Sequence, residues 1–185
     1  MSPSDPIRIA AIGGSVRPDN FTMKALSVVA DRLRATDGVS LEVHDPAEID
    51  FPLPGRSGGG AALERFRDSV RDAHGVLLAT PEYHGGPSSV IKLAIENLGF
   101  PSSLAGKPIA LLGVAAGAIG AIQALGMLRS IGAHVGGIVL PGAVSVAGVQ
   151  QVFDESGRVT DPAIEQRLHG LADGFVTYLR DRPGS

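Results

Sequence analysis

Two stretches of this chain combine residue types that suit ligand chemistry. The first is Gly13-Gly14-Ser15-Val16-Arg17-Pro18-Asp19-Asn20-Phe21-Thr22, between a short apolar run and a helical stripe. A turn of bare backbone feeding a helix N-terminus presents N–H groups to an anion. Ser15, Asn20 and Thr22 add neutral donors and Arg17 adds a charge, a set that suits a mononucleotide phosphate. Ordinary capping of the helix by the same Ser, Asn and Thr is the competing reading. The second stretch is Thr80-Pro81-Glu82-Tyr83-His84-Gly85-Gly86-Pro87-Ser88-Ser89. Its glycines allow close backbone approach to a flat ligand, and Tyr83 can pack against such a ligand's edge or face. His84 admits a general-base role, but no carboxylate stands at a telling spacing, so an idle, solvated ring is the preferred reading. A third loop, Ala115-Ala116-Gly117-Ala118-Ile119-Gly120, is almost bare of side chains. It suits N–H donation to ring carbonyls, or equally a tight strand–helix packing turn.

Other chemistries are excluded. The chain has no cysteine, which removes thiolate nucleophiles, Fe–S clusters and disulfides. No Ser/His/Asp arrangement and no metal-binding pattern is evident. The first loop lacks the Gly-Lys-Ser/Thr ending of a P-loop and the Gly-x-Gly-x-x-Gly dinucleotide turn. A phospho-receiver would need acidic residues where Gly13-Gly14 stands and an Asp where Thr80-Pro81 stands. The formal net charge of −3 is not that of a nucleic-acid binder. No apolar run is long enough to span a membrane, and polar Met1–Pro6 is not a signal peptide. At 185 residues, one domain over 1–185 is expected. The 25 glycines, about twice the usual ~7% share, accompany few aromatics: no Trp, two Tyr and six Phe.

The elements that must position these loops follow from periodicity. Ile7–Ile12 reads as a strand, and Ala25, Leu26, Val29, Ala30 and Leu33 as a helix face stopped by Gly38. Leu41–His44 alternates as an edge-type strand, and Asp45–Gly60 is a Pro/Gly-rich loop. Leu63, Phe66 and Val70 mark a second helix closed by Gly75. Val76–Thr80 is continuously apolar, hence a strand covered on both faces, and Val90–Leu98 is a helical stripe. Ile109–Val114 is the fourth strand, Ile119–Ile131 a small-residue helix, and Val135–Leu140 the fifth strand. Gly142–Thr160 reads as irregular, and Asp161-Pro162 opens the last helix, which runs through Leu179. Five β–α pairs imply an α/β fold, a doubly wound parallel sheet between two helix layers, with strand order 2-1-3-4-5. That order puts the switch point between strands 1 and 3, so the first two loops should meet there.

These residues together resemble the NADPH-dependent FMN reductase family of the flavodoxin-like superfamily. Gly13–Thr22 is similar to its phosphate loop, and Pro81-Glu82-Tyr83-His84-Gly85 to its Pro-Glu-Tyr-Asn loop at the isoalloxazine ring. Ser89–Asn97 is similar to the helix that follows, and Lys107-Pro108 to the entry of the fourth strand, so the likeness covers roughly Ile7 to Leu179. It implies FMN as cofactor and NADPH as co-substrate. Ser15, Arg17, Asn20 and Thr22 would hold the phosphate, with Phe21 in the same site. Pro81, Glu82, Tyr83, His84 and Gly85 would line the ring largely through backbone, and Gly117 would lie beside it. The chemistry would be the flavin's, with no catalytic side chain and no metal, passing hydride to a small acceptor: free flavin, a quinone, an azo compound or a metal oxyanion. A cytoplasmic homodimer or homotetramer is implied, with the Val90–Leu98 and Ile119–Ile131 helices as candidate contacts. Arg56 is a candidate for recognising the NADPH 2′-phosphate. His84 stands where Asn is usual, Gly86-Pro87 is an unusual continuation, and Asn97-Leu98 stands where a Trp is common. The alternative is an FMN electron carrier without NADPH turnover, but such carriers are strongly acidic and flank the ring with aromatics. A flavin-free scaffold is the third reading.

Overall fold

The computed structural model describes residues 5–182. Most of the Met1–Pro6 stretch therefore lies outside the described residues. The element order is β1 (Ile7–Ile12), α1 (Phe21–Arg34), β2 (Val39–His44), α2 (Gly60–Asp72), β3 (Gly75–Tyr83), β4 (Gly86–Pro87), α3 (Ser89–Glu96), β5 (Pro108–Val114), α4 (Ile122–His134), β6 (Ile138–Val139), β7 (Val144–Val146) and α5 (Pro162–Asp181).

The long strands run in parallel in the succession β2-β1-β3-β5, closed on the far side by β6 and β7. β1 sits in register with β2 from Ile7↔Val39 to Ile12↔His44 and with β3 from Ile9↔Gly75 to Ile12↔Leu78. Alternate side chains leave a strand on opposite faces, so the apolar runs feed two cores. Leu77, Ala79 and Leu112 meet Leu26, Val29 and Leu33 of α1 and Phe175 of α5. Val76, Leu78 and Leu111 meet Phe66 of α2, Ile91 of α3 and Leu128 of α4. This is the expected doubly wound α/β arrangement, with α1 and α5 on one face and α2, α3 and α4 on the other.

The details depart from the sequence reading in four places. Gly75 does not close α2; it begins β3, where a Cβ would lie 2.7 Å from the Phe175 ring. β3 continues past Thr80 to Tyr83, because Pro81 still pairs with Val114 of β5. α4 starts at Ile122 rather than Ile119. The fifth strand is split. β6 lies against Pro108 and Ile109, and β7, within the stretch read as irregular, lies against Leu112–Val114. Pro141 between them has no N–H for the ladder, and Gly142 turns at φ 81°.

His44 ends β2. Its ring is buried, in hydrogen-bond contact with the Ser69 hydroxyl at 2.8 Å and edge-on to Phe66. Burial lowers its pKa, against a weaker opposing effect of Glu42. Its carbonyl accepts from the Gly13 N–H at 3.1 Å and so fixes the exit of β1.

Candidate functional site

β1 and β3 part company at their C-terminal ends, and the backbones there are in close contact. A Cβ on Gly14 would lie 2.6 Å from the Ala79 carbonyl oxygen and 3.1 Å from Thr80 Cα, so only glycine fits. A buried polar chain fastens the junction. The Ser88 hydroxyl donates to the Gly14 carbonyl at 2.6 Å and accepts from Ile91 N at 3.1 Å, capping α3. The Ser88 N–H donates to the Thr80 hydroxyl, which donates to the Pro81 carbonyl. The sequence reading did not single out Thr80 or Ser88. Ser88 before a helical stripe was the available signal; its bond to Gly14 had none.

The first loop is organised by Asn20. Its Oδ1 accepts from Met23 N at 2.9 Å, and its Nδ2 donates to the carbonyls of Arg17 at 2.7 Å and Ser15 at 3.4 Å. The Ser15 hydroxyl is buried and accepts from Arg17 N. Asn20 thus caps α1, while the Ser15 hydroxyl closes a turn inside the loop, and both side chains are spent on the loop itself. What remains open is the start of α1. The amides of Phe21 and Thr22 and the Thr22 hydroxyl have no hydrogen-bond partner among the described residues, as the first amides of a helix do not unless capped. Asp19 stands at φ 51° and pairs with Lys24 at 2.8 Å. The Arg17 guanidinium lies 5.0 Å from the centre of the Tyr83 ring, joining the first loop to the second.

In the second loop, Tyr83 faces Gly86 across an antiparallel pair, leaving His84-Gly85 as a two-residue turn. Both have positive φ, 50° and 73°, as a type I′ turn requires. Asn-Gly is the usual pair for this geometry, and His is among the side chains that tolerate it. His84 is exposed and makes no hydrogen bond among the described residues, and the backbone shape accounts for a residue that tolerates positive φ there. The hairpin lies on α4. A Cβ on Gly85 would come 2.8 Å from Gln123 Oε1, and Glu82 Oε2 accepts from Ala124 N at 3.0 Å.

A cavity of about 350 Å³ opens between the loops. Arg17, Asn20, Phe21 and Thr22 form one wall and Pro81, Glu82 and Tyr83 another. Val114, Ala115 and Ala116 form a third, which Val149 and Gln150 extend. Seven of the expected residues thus meet there, while Ser15, His84, Gly85 and Gly117 are not in its walls. The Gly117 carbonyl instead accepts from Gly120 N and Gly148 N, each at 3.2 Å, which fixes the turn. Val149 and Gln150 were missed because they follow β7, itself read as irregular. Arg56 lies elsewhere, in a shallow depression with Pro52, Arg67 and Glu96. Asn97 is buried and donates to the Pro52 carbonyl at 3.0 Å, tying down the long loop after β2.

The cavity fits a mononucleotide with a flat ring. Its volume is in the ordinary range for cofactor sites. One end has unpaired helix amides, a hydroxyl and a guanidinium, and the nearest acids are engaged, Asp19 with Lys24 and Glu82 with α4. The other end is mostly apolar and low in side-chain bulk. No group of three or more His, Asp or Glu able to hold a metal occurs among the described residues.

Comparison with known proteins agrees with this geometry. The family model described as NADPH-dependent FMN reductase matches residues 7–151. An NAD(P)H-dependent FMN reductase of Pseudomonas aeruginosa is 33% identical over 180 residues, 91% of this chain and 95% of the relative. An NADPH azoreductase of a Bacillus species is 30% identical, over 93% of this chain and 94% of its own. Among solved structures, the flavoenzyme NAD(P)H:(acceptor) oxidoreductase FerB from Paracoccus denitrificans superposes with a TM-score of 0.75 at 25% identity, covering 93% of this chain and 96% of the other.

Proposed function

The chain belongs to the NADPH-dependent FMN reductase family, and from that membership we propose that the cavity binds FMN and takes hydride from NADPH for a small acceptor. The observation that carries this reading is the meeting of free α1 amides with a low-bulk, mostly apolar slot at the strand switch point.

Bound FMN supplies two-electron chemistry that no side chain here can perform. The amides of Phe21 and Thr22, the Thr22 hydroxyl and Arg17 would hold the phosphate, and Asn20 and Ser15 keep their loop in shape. Pro81–Tyr83 and Val114–Ala116 would form the walls around the ring, with preorganised backbone groups rather than an acid or base side chain beside it. The acceptor is a quinone, azo compound, free flavin or metal oxyanion, and the azoreductase relative supports the azo class. The working form is a homodimer or homotetramer in the cytoplasm, where NADPH is regenerated. Ile119 just before α4 and Ile122 and Met127 in its first two turns are exposed and support a subunit contact there. No described helix is long and apolar enough to cross a membrane.

The test is an absorbance spectrum of protein loaded with FMN and separated by size-exclusion chromatography, followed by NADPH oxidation with excess quinone or free FMN. Co-elution of flavin with a dimer or tetramer and catalytic NADPH turnover are expected. Flavin bound without NADPH oxidation would mean an electron carrier, and failure to retain any flavin would overturn the reading.

A further inference from the structure

α4 lacks a cap of its own. Its N-cap residue is Ala121, whose side chain can accept nothing, and the Ala121 amide is taken by the Ser145 hydroxyl at 2.8 Å. The third amide of the helix, Ala124 N, is satisfied from 42 residues away by Glu82 Oε2. A carboxylate at this place serves both the unpaired N–H and the positive end of the helix dipole. Glu82 also lines the cavity, near the end of β3 and two residues before the His84-Gly85 turn. Two further contacts follow the same line. Gly85 is close enough to Gln123 that a Cβ would come within 2.8 Å of its amide oxygen, and Gly86 lies over Met127. The tip of the ring loop is therefore seated on the first two turns of α4, and among the described residues the Glu82–Ala124 hydrogen bond is the directional one in that seat.

We infer that Glu82 is a positioning residue for the cofactor site: its carboxylate, by capping α4 from a distance, sets where the Pro81–Gly85 backbone stands relative to the cavity. The inference rests on the proposed FMN site for its consequence in binding, but the coupling of loop to helix is independent of any ligand. Pro81, Glu82 and Tyr83 of this loop line the cavity, so a shift of the anchor moves that wall itself.

The experiment compares wild type with Glu82→Ala and Glu82→Gln. The Gln side chain keeps an oxygen that can accept from Ala124 N. Amide hydrogen exchange is followed without flavin, and FMN affinity is measured by flavin fluorescence. Glu82→Ala is expected to speed exchange at Ala124 and at the amides of His84, Gly85, Gly86 and Ser88, while the β1 and β5 amides are unchanged. It is expected to weaken FMN binding about tenfold, an N-cap's worth of free energy. Glu82→Gln is expected to restore most of both. Faster exchange at Ala124 alone, or a uniform rise over the whole chain, would show a merely structural cap and overturn the inference. A Gln variant as impaired as Ala would also overturn it. If wild type itself binds no FMN, the functional proposal fails while the exchange data still decide the role of Glu82.

Discussion

The loop after β1 and the hairpin after β3 meet at one cavity but are held in opposite ways. Beyond Gly14, the β1 loop is held from within: the three bonds of Asn20 reach no more than five residues along the chain. The β3 hairpin is held from outside, by Glu82 to an amide 42 residues on and by Ser88 to a carbonyl 74 residues back. The difference suits the proposed roles: a short, self-capped turn can present amides to an anion alone, whereas a wall for a flat ring is placed by contacts from the other walls.

The contrast can be broken or sharpened by substitution, and the largest effect belongs to the point where both loops touch. Gly14→Ala would force a methyl group into the Ala79 carbonyl, a backbone atom that cannot turn aside. A loss of about 3 kcal/mol or more in urea unfolding is expected, at the upper end of overpacking effects. Gly117→Ala is the control, since nothing lies within 4 Å of its Cβ position, and stability there should change by less than ~0.5 kcal/mol. Next comes Ser88→Ala, which strips α3 of its cap and leaves the buried Gly14 carbonyl without its donor. About 2 kcal/mol is expected, with faster amide exchange in both loops because the bond joins them. Asn20→Ala should cost less, about 1 kcal/mol, and its exchange changes should stop at the first turn of α1. Equal spreading of the two perturbations would erase the distinction between self-held and externally held loops.

The same distinction explains what could be read from the sequence. The apolar runs Ile7–Ile12, Val76–Thr80 and Ile109–Val114 and the stripe Ala25–Leu33 announce strands and a helix through local periodicity, and they correspond to β1, β3, β5 and α1. The convergence of the first two loops followed from strand order alone. Asn20 as a cap was legible because its bonds are short-range. Glu82 to Ala124 was not, since no local pattern marks a cap supplied by another element. Nor was β7, which is three residues long and exists only because β5 continues past β6 and offers unpaired groups. His84 was judged idle for want of a partner, and the structure adds the reason for a residue that tolerates positive φ at that place.

The interruption at Pro141 and Gly142 reaches beyond the fold itself. An unbroken fifth strand would offer the length of a sheet edge to any other chain, the starting point of edge-to-edge aggregation. Here that edge is cut into pieces of two and three residues with a proline between them. Such fragments are too short to template a neighbour's strand. Molecules crowded together on the ribosome or in a concentrated solution therefore find little to zip onto at this side.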